Sequence, residues 1–171
     1  MKDLSHGITS EDYWQGNLDA GVQIVMYVDV SDPEFSTLHQ QAMTIRDTFE
    51  EQIVLVYRYF PNTEKNPLGY AVAQALASAG KQGQFWAMVA QLATHPQQLS
   101  DGALRQHANA IGLDKTQFED DFSHPTTLKR IQRDMESAKA SGVASAPAIF
   151  INGVRQQRLS QSYIKRLIQS K

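Results

Sequence analysis

Two apolar runs, VQIVMYVDV (Val22–Val30) and QIVLVYRYF (Gln52–Phe60), limit most strongly how this chain can fold. Both are rich in Val, and each reads as a buried strand. Between them Phe35, Leu38, Ala42, Ile45 and Phe49 recur at spacings of three or four, which predicts a helix from Pro33 to about Glu50. Strand, helix and strand in this order make a parallel pair with a right-handed crossover. The remaining chain must then cover both faces of the sheet.

Downstream, the pattern is helical. NPLGYAVAQALASAG puts Pro67 at a helix start and Gly80 past its end. QFWAMVAQLATHP is a short apolar helix stopped before Pro96, with Phe85 and Trp86 read as core. LSDGALRQHANAIGL begins at Ser100 and ends at Gly112, and Asp114 and Gln117 stand at capping-box spacing. TTLKRIQRDMESAKASG places Leu128, Ile131, Met135 and Ala138 on one face. Residues from about 66 to 140 thus read as a helical insertion. Asn152-Gly153 in APAIFINGVRQQ is a hairpin signal, and Gln161–Gln169 is a last helix with Tyr163, Ile164, Leu167 and Ile168 on its apolar side. Residues ahead of Val22 read as a polar arm. The expected architecture is one α/β domain over residues 1–171, with a mixed sheet in the order β-α-β, helical insertion, β-β-α.

Composition excludes several functions. Hydrophobic residues make up 42%, charged residues 20%, and the net charge is −2, which gives no electrostatic reason for nucleic acid or an anionic membrane as partner. No apolar run approaches roughly 18 residues, so no membrane insertion is expected. MKDLSHGITSEDYWQG lacks an apolar leader. At face value that suggests the cytoplasm; a trimmed chain would suit the periplasm or another extracytoplasmic space. There is no cysteine, which excludes disulfides, thiolate metal sites and a cysteine nucleophile. His39, His95, His107 and His124 show no metal-ligand spacing, and His39 reads as an exposed helix residue. No cofactor is called for, and the oligomeric state is left open.

The strand-to-helix junction MYVDVSDPEFSTL is abrupt. Asp32 reads as the cap, Pro33 as the first helical residue and Glu34 as a first-turn acid. Orphan N–H groups and the helix dipole favour an anion at such a place.

The element order, the lead-in DYWQGNLDAGVQIVMYVDV, Phe60-Pro61, AGKQGQFWAM, IGLDKTQFEDDF and GVASAPAIFINGV together resemble the DsbA-like thioredoxin-fold family of thiol–disulfide oxidoreductases. The resemblance covers most of the chain. It implies a thioredoxin-like fold and a cis-proline loop at Ser145, Ala146 and Pro147. Pro147, if cis, turns the backbone of Ala146 toward the Asp32 helix start, where the family pairs with an extended peptide as a short added strand. Asp29, at the end of the first strand, stands where the family uses a buried acid; without a thiol it reads as a hydrogen-bonded structural carboxylate. Family members carry Cys-Pro-x-Cys at the junction. This chain has Asp32-Pro33-Glu34-Phe35, keeping the proline and losing both thiols. Disulfide exchange needs an attacking thiolate, so that activity is not carried over. Relatives of this type also occur fused to membrane transporters. Two readings of function follow. One is a non-catalytic domain that binds an extended peptide or protein segment, as a holdase, adaptor or regulatory module. The other is a non-thiol enzyme of the glutathione-transferase or isomerase type, with Ser31, Ser36 or Ser145 holding glutathione.

Overall fold

A computed structural model describes residues 3–170. The strands are β1 (Tyr13–Gly16), β2 (Val22–Val28), β3 (Ile53–Tyr59), β4 (Ala148–Ile151) and β5 (Val154–Gln156). The helices are α1 (Phe35–Phe49), α2 (Gly69–Lys81), α3 (Phe85–Ala93), α4 (Asp101–Ala110), α5 (Lys115–Phe122), α6 (Pro125–Ala140) and α7 (Gln161–Gln169). β2 and β3 pair in parallel around the α1 crossover. β4 lies antiparallel on the other side of β2, giving one sheet in the order β1-β3-β2-β4-β5. Asn152 and Gly153, both with positive φ, turn β4 into β5.

Side-chain alternation along the strands sorts the core onto two faces. Ile24, Met26, Leu55 and Tyr57 face α1, the α2–α5 helices and Ile164 of α7. Val25, Tyr27, Val54, Val56 and Phe150 face the opposite way, toward Ala138 of α6 and the N-terminal residues Leu4, Ile8 and Leu18. β3 is buried at every position, as a largely apolar central strand is, and its one charged residue, Arg58, is buried with the rest.

Four details differ from the sequence expectation. The N-terminal arm contains a strand: β1 pairs antiparallel with residues 54–57 of β3, a pairing that its short, mixed Tyr-Trp-Gln-Gly text does not signal. α1 begins at Phe35, two residues beyond Pro33, because Asp32 and Phe35 first close a tight turn. Gly80 lies inside α2, not past it. A Cβ there would stand 2.7 Å from Cε1 of Tyr13, whose ring stacks on Phe85 with centroids 3.8 Å apart, so close packing explains the glycine. Finally, Asp114 Oδ1 accepts from the Gln117 N–H at 2.8 Å, but the reciprocal bond comes from elsewhere: Gln82 Oε1 accepts from the Asp114 N–H at 2.8 Å.

One buried polar network ties the N-terminal segment to the sheet. Arg58 donates to both oxygens of Asp12 at 2.9 Å, to the carbonyls of His6 and Gly7, and to the Tyr27 hydroxyl. Tyr27 in turn bonds Ser137 of α6 at 2.7 Å. Burial alone would raise the Asp12 carboxyl, but the hydrogen bonds and charge of Arg58 hold it below the usual range. Beside this network, Asp134 Oδ2 accepts from the Tyr59 N–H at 3.1 Å. β1 ends at the partner of Tyr57 and leaves that N–H without a strand to bond. Burial pushes the Asp134 carboxyl up to about 6 despite the nearby Arg130.

Candidate functional site

The chain after β2 turns sharply twice. Asp32 N–H donates to the Asp29 carbonyl at 3.0 Å, and Phe35 N–H donates to the Asp32 carbonyl at 2.9 Å. Asp32 Oδ1 accepts from the Glu34 N–H at 2.9 Å and so closes the turn ahead of α1; the helix cap is Glu34, without a side-chain bond, and not Asp32 as the sequence suggests, because the tight turn delays the helix. Its Oδ2 stands 3.7 Å from Lys65 Nζ. Pro33 and Glu34 are exposed, whereas Phe35 turns inward. The Phe35 ring packs beside His39 and edge-on to Tyr57.

Asp29 is buried, and four donors hold it. Oδ1 accepts from the N–H and hydroxyl of Ser31, and Oδ2 accepts from the Asn62 N–H at 3.1 Å and the Asn66 side chain at 3.0 Å. It thereby pins the segment after β2 to the segment after β3. Asn62, Lys65 and Asn66 escape the sequence reading. Their signal is the Asn-rich text directly after Pro61, which marks a turn without naming its partner.

Across from this junction runs the loop into β4. The Ala146–Pro147 peptide is cis. Ser145 and Pro147 are exposed, and Ala146 is half-buried. Among the described residues, the backbone groups of Ala144, Ser145 and Ala146 make no hydrogen bond to protein. The two sides enclose a cleft of ≈ 390 Å³ lined by Val28, Asp29, Asp32, Glu34, Phe35, Thr37, Leu38, Gln41, Ala146 and Pro147. The structure thus brings Asp29, Asp32, Glu34, Phe35, Ala146 and Pro147 to one cleft; Pro33 and Ser145 adjoin it in sequence without lining it.

His39 corrects the sequence expectation. It is buried, not exposed, and its Nδ1 lies 2.9 Å from the Tyr57 hydroxyl. Burial, aided by the charge of Arg46, lowers it to about 4, so it stays neutral. It makes no bond to Asp32. Among the candidate serines, Ser31 donates to Asp29 and Ser36 to the Ala93 carbonyl, while Ser145 sits exposed in its loop. Among the described residues none of the three has the His or Lys partner that activates a serine. No three carboxylate or imidazole side chains among the described residues cluster as metal ligands, and no described helix is long and apolar enough to cross a membrane.

A mixed sheet in this order, with a block of helices inserted between β3 and β4, defines a thioredoxin-like fold. This chain belongs to the thioredoxin family, whose match runs over residues 9–170. Among solved structures, a thioredoxin-like oxidoreductase from Silicibacter pomeroyi DSS-3 superposes with a TM-score of 0.83 at 20% identity, covering 95% of this chain and 92% of that one. Oxidised BdbD from Bacillus subtilis superposes with a TM-score of 0.82 at 16% identity, covering 99% and 98%. At these identities the likeness concerns the fold. Among curated relatives, a Mycolicibacterium gilvum protein named Na(+)/H(+) antiporter NhaA 1 is 31% identical over 148 residues, which are 85% of this chain and 24% of that protein. The chain therefore spans about a quarter of the length of the curated relatives it matches.

The placement of the motif can be checked chemically. Asp32 and Phe35 close an i to i+3 turn, which keeps their Cα atoms within about 7 Å. That separation suits a disulfide. The double variant Asp32→Cys, Phe35→Cys is expected to form an intramolecular disulfide under mild oxidation, read by thiol titration and mass. Two thiols that stay free would show the turn is not an exchange-centre remnant.

Proposed function

We propose that this domain binds an extended peptide or protein segment in the cleft between Asp32–Phe35 and Ala146–Pro147, without exchanging disulfides. The observation that carries this reading is the backbone of Ala144–Ala146, unpaired among the described residues, which leads through Ala146 into one wall of a ≈ 390 Å³ cleft. A bare stretch of main chain beside an apolar groove is what strand addition needs: its N–H and C=O groups supply affinity, and side-chain pockets supply choice. Val28, Phe35, Leu38 and Pro147 supply the apolar lining. The chain has no thiol, so binding would end there rather than lead to a mixed disulfide. That similar segments make up about a quarter of proteins named as antiporters supports an accessory role, as an adaptor or regulatory module within a larger assembly.

The test is a titration of the isotope-labelled chain with extended peptides, following backbone amides. Shifts centred on Ser145 and Ala146 are expected. Unmoved resonances there at millimolar peptide would remove the proposal.

A further inference from the structure

We infer that the cleft selects a cationic segment, one that places lysine or arginine beside an apolar residue. The inference rests on the peptide-binding reading and adds the chemistry of the partner.

Three of the ten lining residues are carboxylates, and none is Lys, Arg or His. The chain as a whole carries a net charge of only −2, so this one-signed wall is local. The three acids play different parts. Asp29 has both oxygens occupied by four donors and acts through its field, not by contact. Asp32 accepts one hydrogen bond on Oδ1, and among the described residues Oδ2 meets only Lys65, at 3.7 Å. The Lys65 side chain is 65% exposed, and an ion pair of that kind exchanges readily for another cation. Glu34 is exposed and has no ion-pair partner among the described residues.

A helix start ordinarily recruits anions. Here the Glu34 and Phe35 N–H groups are already answered by Asp32, through its carboxylate and its carbonyl. An acidic partner would meet three carboxylates with those donors spent. A partner strand laid along Ala144–Ala146 has side chains alternating in direction. A basic one reaching Asp32 and Glu34 finds opposite charge, and its apolar neighbour finds Leu38 and Pro147.

Three capped hexapeptides that share alternating valines and differ only in carrying Lys, Gln or Glu at the other positions separate the possibilities. Affinity is measured by calorimetry on the whole chain, and location by the Ser145 and Ala146 amides. The Lys peptide is expected to bind about tenfold tighter than the Gln peptide at low salt, with the Glu peptide weakest. The gap should narrow as ionic strength rises toward about 0.5 M. In the variant Asp32→Asn, Glu34→Gln the Lys-to-Gln ratio should fall toward one; Asn at position 32 can still cap the turn. Equal affinities, preference for the Glu peptide, or an undiminished ratio in the variant would overturn the cationic selection and leave peptide binding standing. Silence of the Ala146 region toward all three peptides would overturn peptide binding itself, and the selection with it.

Discussion

Arg58→Met is expected to lower stability by about 3–5 kcal/mol, the cost of leaving a buried charge without its partner. Asp12 and Arg58 side chains are each 4% exposed, and the pair is bidentate. Removing the guanidinium strands the Asp12 carboxylate and also deprives the Tyr27 hydroxyl and the carbonyls of His6 and Gly7 of a donor. Domains of this size are commonly stable by only about 5–15 kcal/mol, so the urea midpoint should drop steeply. The double variant Asp12→Asn, Arg58→Met should recover part of the loss, because the uncompensated charge is then gone. A single-variant cost under about 1 kcal/mol, with an unchanged m-value, would show that the network is not a structural tie.

The second large effect is hidden in the unsubstituted protein. His39 is lowered from 6.5 to about 4, and Asp134 is raised from 3.8 to about 6, both chiefly by burial. Between pH 6.5 and 4 the unfolded chain takes up a proton at His39 that the native state refuses, so acidification destabilises. Between pH 6 and 3.8 the native state takes up a proton at Asp134 that the unfolded chain does not, so acidification stabilises. Each contribution is about 3 kcal/mol, and they oppose each other over nearly the same window. His39→Leu should therefore retain about 3 kcal/mol more stability at pH 4, relative to pH 7, than the unsubstituted chain. Asp134→Asn should lose about that much more. Denaturant melts across pH 4–7 read both; profiles parallel to that of the unsubstituted chain would refute the assignment. The comparison uses slopes, so a constant penalty from the substitution, such as the Tyr57 hydroxyl losing His39, drops out.

These groups show where sequence reasoning reaches and where it stops. The parallel pair, the α1 crossover, the Asn152-Gly153 hairpin and the final helix were legible because periodicity and turn chemistry are local signals. The family resemblance followed from the order of those pieces, and the lost thiols were plain from the absence of cysteine. β1 was not legible, since four residues of mixed character become a strand only against β3. His39 lies on the same helical stripe as Phe35 and Ala42, yet its type suggested solvent; only the Tyr57 hydroxyl beside it makes burial tolerable. Asp134 likewise sits on the buried side of α6, and its role depends on where β1 stops. The Asp29 cradle needed Asn62 and Asn66 brought from beyond β3, a contact no spacing rule contains.

The rim that carries Ala146 and Pro147 leads into β4, which is buried at all four positions. β4 meets the sheet through β2, and its other neighbour is the three-residue β5, whose first residue, Val154, is exposed. α1, on the facing wall, is wedged among β3 and the inserted helices. Both walls of the cleft are therefore anchored in the core, one through β4 and the other through α1. A segment bound as proposed would meet an opening whose width is set in advance by packed elements on either side, and little ordering of the domain would oppose its entry.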